Sequence, residues 1–214
     1  MLTVKTFTFS PIQENTYVLY NEKGECCIID PGCYFQEERN ELRSAIEGAG
    51  LKPVLLLNTH GHLDHVFGNK FIFETWGLIP HIHEKEKPVL DRAPAAAERW
   101  QLPFDHYEGE LEFIPENQPI FLGDEKLEVL FTPGHSPGSL SFYYEPGSFV
   151  IGGDVLFNGS IGRTDLPGGD YATLINSIQT KFFTLPDNTK VYSGHGPVTT
   201  IGLEKMNNPF VKLY

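Results

Sequence analysis

Seven consecutive residues, Thr59-His60-Gly61-His62-Leu63-Asp64-His65, constrain this chain more than any other stretch. A lone histidine is ordinarily a surface residue or a satisfied core residue. Three imidazoles and a carboxylate within six positions are a different matter, because the protonated rings would repel one another unless a cation or a carboxylate intervened. Neutral imidazole ligates Zn, Fe, Ni and Cu, and a carboxylate offsets the charge of a dication. His60, His62, Asp64 and His65 are therefore read as metal ligands. They directly follow Pro53–Leu57, a fully apolar run with the composition of a buried strand. Strand ends are where α/β-type sheets present ligands. Gly61 is read as the residue that lets the backbone turn so that its neighbours converge.

Three isolated residues repeat that placement. His135 stands in Thr132-Pro133-Gly134-His135-Ser136-Pro137-Gly138, after the apparent strand Leu127–Phe131. Asp154 follows Phe149–Ile151 and Gly152-Gly153, and His195 follows Lys190–Tyr192 and is flanked by Gly194 and Gly196. Singly, each reads equally well as a turn residue. Together with the first loop, they read as ligands that distant segments bring to one place.

The remaining periodicity fills in the scaffold. Thr3–Phe9, Thr16–Tyr20, Cys26–Ile29, Leu78–Ile82, Gln118–Leu122 and Ser139–Tyr144 read as further strands. Glu37–Ala49 and Asn69–Trp76 read as helices, residues 84–107 as mostly helical with a break near Pro94 or Pro103, and Tyr171–Phe183 as an amphipathic helix N-capped by Asp170. Many short elements joined by tight turns suit the 21 Gly and 16 Pro and argue against a helix bundle. Two packed sheets covered by helices would bury such strands. The pattern alone leaves α/β and α+β both open, within one domain spanning 1–214.

Charge and cysteine usage narrow the function. With 16 basic and 28 acidic side chains the formal net charge is -12, the opposite of what phosphate contacts require, so no nucleic-acid partner is expected. Cys26, Cys27 and Cys33 form neither a disulfide framework nor a familiar zinc pattern, and read as free buried thiols. Reduced thiols and an N-terminus without a charged segment or an apolar core point to the cytoplasm. No apolar run approaches the roughly 20 residues that span a bilayer, so no membrane association is expected.

The set His60-x-His62-x-Asp64-His65, His135, Asp154 and His195 resembles the metallo-β-lactamase fold superfamily, over essentially the whole chain from Ile29-Asp30-Pro31-Gly32 to Gly194-His195-Gly196. Ligands drawn only from His and Asp look like its glyoxalase II (hydroxyacylglutathione hydrolase) branch, as does the stretch from Asp154-Val155-Leu156-Phe157 to Gly162-Arg163-Thr164-Asp165. The resemblance implies an α+β fold, a four-layer αββα sandwich. It implies one metal on His60, His62 and His135, a second on Asp64, His65 and His195, and Asp154 bridging them. Two dications sharing a water yield hydroxide at neutral pH, and one of them polarises an ester or thioester carbonyl. The function implied is thioester hydrolysis on a small molecule such as S-lactoylglutathione, with two divalent ions, zinc first and iron or manganese as alternatives. Asp64 is given a second, catalytic role in orienting the hydroxide, and Asp30 a place behind the ligands, fixing their loop by hydrogen bonds.

Two features depart from a typical glyoxalase II. Only Pro197 to Tyr214 stands where that branch carries a C-terminal helical region contributing to its glutathione site, so a compact type is expected. Arg163 stands where the branch has Lys; it is read either as a substrate-binding residue for a carboxylate or as a structural tie to Asp165 or Asp170. One alternative is a mononuclear iron persulfide (sulfur) dioxygenase using His60, His135 and Asp154. Further alternatives are an RNA-processing nuclease and a non-enzymatic metal-binding protein. His81, His83 and His106 are not assigned to the site.

Overall fold

The computed structural model describes residues 1–116 and 118–211. Thr3–Phe9 (β1), Glu14–Tyr20 (β2), Glu25–Ile29 (β3), Lys52–Leu57 (β4), Pro80–Ile82 (β5) and Glu112–Phe113 (β6) form a six-stranded sheet in that spatial order. The second sheet draws on Ile120–Leu122 (β7), Glu125–Phe131 (β8), Leu140–Tyr144 (β9) and Phe149–Gly153 (β10). A small hairpin of Leu156–Phe157 (β11) and Ser160–Ile161 (β12) follows, and then Lys190–Ser193 (β13) and Thr199–Thr200 (β14) complete the second sheet in the order β14-β13-β10-β9-β8-β7. The helices are Gln36–Gly48 (α1), Leu63–Val66 (α2), Asn69–Trp76 (α3), Lys87–Leu90 (α4), Ala93–Trp100 (α5), Tyr171–Ser177 (α6) and Ile201–Asn207 (α7).

Strand β3 shows why the layers stack as they do. Successive side chains on a strand point to opposite faces. Cys27 and Ile29 enter the core between the sheets with Leu57, Leu127, Phe142 and Ile151. Cys26 and Ile28 face the other way and pack under Leu42 and Ile46 of α1 and Ile72 of α3. On the far side, Val150 and Val191 pack under Leu174 of α6 and Ile178. The result is the expected α+β sandwich, helix-sheet-sheet-helix. Burying each large aliphatic side chain is worth about 1.5–3 kcal/mol, and β3 gains this on both of its faces, as a strand covered on two sides does.

Local chemistry sets the helix limits. The Glu38 carboxylate in the first turn of α1 accepts the backbone N–H groups of Ser10, Tyr34 and Phe35, which otherwise lack helical partners. Asp170 caps α6 as expected, accepting the Thr173 N–H at 2.7 Å.

Several elements differ from expectation. Residues 84–107, expected to be mostly helical with a break near Pro94 or Pro103, are helical only as far as Trp100: a single turn at Glu84–Glu86 leads into α4 and α5, which part at Asp91 and Arg92, and the helical backbone stops where Gln101 takes a positive φ of 56°. Pro88 and Pro94 open α4 and α5 instead of breaking them, because proline is tolerated in a first turn. The helix expected to reach Phe183 is α-helical only to Ser177 and widens into a π turn over Ile178–Phe182. Strand β6, the β11–β12 hairpin, β14 and α7 were not anticipated, being too short for a period to show. Among the described residues no helix is long and apolar enough to cross a membrane.

The architecture brings the C-terminal ends of β4, β8, β10 and β13 to one edge, where the two sheets are tied across the gap. Leu140 N–H donates to Thr59 O at 2.9 Å, Asn15 N–H to Gly194 O at 2.7 Å, and the Tyr17 hydroxyl to Ser193 O at 2.6 Å.

Candidate metal centre

All seven sequence-predicted ligands lie at that edge. The chain leaves β4 through Asn58 to His62, bending at Thr59, and then closes the single turn of α2, which turns Asp64 and His65 toward the same space as His60. His135, Asp154 and His195 arrive from the ends of β8, β10 and β13. Gly61 has no positive φ, so the turn-making role expected of it is not what fixes glycine there. A Cβ would lie 3.0 Å from Leu90 Cγ and 3.2 Å from Leu90 N, so close packing against α4 sets the requirement. Gly194 is as tightly placed: a Cβ there would overlap the Asp154 carboxylate and the His65 ring.

The first cluster is all imidazole. His62 Nδ1 is 2.8 Å from His135 Nε2, which is 3.2 Å from His60 Nε2. The opposite nitrogens determine which atoms carry hydrogen. His135 Nδ1 lies 2.8 Å from the Arg163 carbonyl and must donate to it. The Thr59 hydroxyl donates to Asp30 Oδ2 at 2.6 Å, so its oxygen accepts from His60 Nδ1 at 3.0 Å. The Nε2 atoms of His60 and His135 then face each other as lone pairs, an arrangement that a cation between them would relieve. Burial, reinforced by the neighbouring imidazoles, holds His60 well below the usual histidine range and His62 at about 3. Burial also lowers His135, against the opposing pull of Asp154. All three are thus neutral and ready to ligate at neutral pH.

The second cluster mixes charge. His195 Nε2 is 3.1 Å from Asp64 Oδ2, and His65 Nε2 is 3.8 Å from the same oxygen. His195 Nδ1 donates to Gln13 O at 3.1 Å and His65 Nδ1 to Asp30 Oδ2 at 3.0 Å. Burial works against protonation of both rings. Even so, Asp64, Asp154 and Asp30 raise His65 well above its ordinary value, and Asp64 and Asp154 raise His195. Asp64 and Asp154 are held low by these same histidines despite their burial.

Asp154 lies between the clusters. Its Oδ2 is 3.5 Å from His135 Nε2 and 3.7 Å from His195 Nε2, and its Oδ1 is 3.5 Å from His65 Nε2. Asp154 Oδ1 and His65 Nε2 are both buried without a hydrogen-bond partner. Native proteins rarely leave such atoms unpaired. The donor set and these two unpaired atoms fit divalent cations.

Behind the ligands, Asp30 occupies the position expected of it. Its Oδ1 accepts the Thr59 N–H at 2.7 Å, while Oδ2 takes the Thr59 hydroxyl and the His65 ring. Two buried acids escaped the sequence reading. Glu14 accepts the Thr16 hydroxyl at 2.8 Å beneath His65, and burial drives its carboxyl upward. Glu86 accepts the Gly61 N–H at 2.8 Å and both the Ser136 hydroxyl and the Gly138 N–H at 2.5 Å. Glu86 sits in the charged run His83-Glu84-Lys85-Glu86-Lys87, where nothing in the sequence distinguishes the buried glutamate from the exposed one.

Other polar candidates lie elsewhere. Arg163 is half exposed and forms a bidentate pair with Asp165 at 2.7 and 2.8 Å; what it contributes to the centre is its backbone carbonyl, which holds His135. His81 meets the Ile79 carbonyl, His83 stacks on Phe131, and His106 packs on Phe104. All three cysteines are free and buried, and burial pushes the Cys26 and Cys33 thiols up to about 12.

The sequence profile of the Metallo-beta-lactamase superfamily matches residues 10–195, and the chain belongs to that superfamily. It is 38% identical over 216 residues to the hydroxyacylglutathione hydrolase GloC of Haemophilus influenzae, covering 98% of each protein. The B3 metallo-beta-lactamase BLEG-1 is similar in structure, with a TM-score of 0.90 and 39% identity over 98% of this chain and 99% of that one. TTHA1623, solved in a di-iron-bound form, is similar with a TM-score of 0.87 and 37% identity over 97% of this chain and 100% of that one.

Proposed function

We propose that this member of the metallo-beta-lactamase superfamily is a dinuclear metal-dependent hydrolase, a single catalytic domain that cleaves thioesters such as S-lactoylglutathione. The observation that carries the reading is Asp154, with one carboxylate oxygen beside both clusters and the other unpaired opposite the unpaired His65 Nε2. In this reading His60, His62 and His135 hold one ion, Asp64, His65 and His195 hold the other, and Asp154 serves both. Bound together, two divalent ions supply a Lewis acid for the acyl carbonyl and bring a water's pKa toward neutrality.

The protein's own groups do the rest. Asp30 holds His65 in the tautomer that directs Nε2 inward, and through Thr59 does the same for His60. The Asp64 carboxylate, partly open to solvent, accepts a hydrogen bond from an attacking water and so orients it. The thiolate leaving group needs no dedicated acid. Arg163 would bind a substrate carboxylate only on release from Asp165. Zinc is the first expectation for the ions, with iron and manganese also matched by imidazole and carboxylate. The name of GloC supports the glutathione thioester, and that of BLEG-1 supports a β-lactam amide as the second substrate to try. Asp64, His65 and His195 offer a place for a second ion, which a one-iron dioxygenase would not need.

The test is a metal count on protein purified without chelators, paired with hydrolysis of S-lactoylglutathione. About two ions per chain and measurable hydrolysis are expected. One iron per chain, with oxygen uptake on glutathione persulfide and no hydrolysis, would overturn the reading.

A further inference from the structure

Among the described residues, Glu86 is the one carboxylate that bonds both the Gly61 loop and the Ser136–Gly138 turn. It is wholly buried, with no side chain of opposite charge beside it. Its three partners, Gly61 N–H, Gly138 N–H and the Ser136 hydroxyl, are all donors. Gly61 lies between His60 and His62 on the loop that leaves the first sheet, and Ser136 follows His135 on the loop that leaves the second. One carboxylate therefore bonds to the backbone between His60 and His62 and to the turn that starts at His135, through the Ser136 hydroxyl and the Gly138 N–H. In the second cluster His65 is held by Asp30 and Asn58, His195 by the Gln13 carbonyl, and Asp64 lies against His195.

We propose that Glu86 is the positioning residue of the three-histidine cluster, holding the Gly61 and Ser136–Gly138 turns in the one register at which His60, His62 and His135 converge. It touches neither substrate nor reacting atoms. The chemistry makes a carboxylate necessary. A glutamine would keep the shape, but its amide nitrogen would face either Gly61 N–H or Gly138 N–H, leaving one backbone donor opposed by another. The inference rests on the proposed function only in taking this cluster as a metal site.

Two measurements separate the two ideas. The first needs no metal: amide hydrogen exchange in chelator-treated protein, wild type against Glu86→Gln. Slow exchange at Gly61 and Gly138 is expected in the wild type. In the variant the faster of the two should speed up by tenfold or more, on the order of one lost buried hydrogen bond, with the sheets still protected. Exchange at both amides unchanged in the variant would overturn the proposal. The second is metal titration followed by cobalt absorption. Glu86→Gln should weaken one ion about 10–100-fold and leave the other in place. In a His60→Ala background, Glu86→Gln should do nothing further to the remaining ion. Loss of both ions together in Glu86→Gln would instead make the residue a general support and overturn the assignment. If Glu86→Gln does not fold, Ser136→Ala removes one strut alone. Weaker binding of the same single ion then supports the proposal, and unaltered binding of both ions counts against it.

Discussion

The two ligand clusters share one carboxylate and an edge of the same sandwich, yet they are built on opposite electrostatic plans. His60, His62 and His135 form a buried cluster of neutral rings, their pKa values pushed down by desolvation. His65 and His195 face Asp64 and Asp154, which raise them against that same desolvation. Burial dominates where only imidazoles meet; carboxylates dominate where they are within about 4 Å. The first cluster is thus prepared to receive a cation without releasing protons, and the second must exchange protons for one.

The largest expected effect comes from abolishing what the clusters share. Asp154→Ala should lower hydrolysis by on the order of a thousandfold and leave fewer than two ions bound. Near wild-type activity in that variant would contradict the bridging role. Separating the clusters comes next. Asp30→Asn should weaken metal binding about 10–100-fold, and unlike Glu86→Gln it should affect both ions, since Asp30 supports His65 directly and His60 through Thr59. Equilibrium dialysis of the two variants side by side would show whether the supports are separate.

Acid titration of the metal-free protein sharpens the electrostatic contrast. His62 is held at about 3 in the folded protein, whereas an unfolded histidine titrates near 6.5. The unfolded chain then takes up the proton first, so His62 costs stability progressively as pH falls from about 6.5 toward 3. For His195 the sign reverses: its raised pKa contributes stability that is fully present below about 6.5 and is lost as pH rises through the folded value. Tm measured against pH should therefore fall less steeply toward acid in His62→Gln than in wild type. His195→Gln should lose most stability at the acid end. Parallel curves would refute the asymmetry. The smallest effect is expected outside the clusters. The exposed Arg163–Asp165 pair should contribute little to stability, being screened by solvent, and Arg163→Ala should leave kcat near wild type. A KM raised tenfold in that variant would assign Arg163 to substrate binding.

The legibility of the site followed chemical type. Histidine and aspartate at strand ends beside glycine announced themselves, because few structural needs would gather them there. Asp30 was legible through its motif. Glu86 and Glu14 were not, since a buried acid differs from a solvated one only in what surrounds it. The fold behaved similarly. The strands β1 and β3 and the helix α3 stood out by their period, whereas two-residue strands such as β6 and β14 exist only through their partners. The stop at Gln101 and the π turn after Ser177 reflect packing that overrode local helical preference.

From its sequence alone, the chain determined the ligand types, their attachment to strand ends and the alternation that stacks two sheets between helices. Those are local properties, set by residue chemistry and by the pleat. Tertiary structure alone decided that Asp154 spans two clusters, that one cluster is neutral and the other charged, and that Glu86 ties the two halves together. Each of those depends on distances of a few ångströms between segments as much as 131 residues apart, and on how much water the packing excludes.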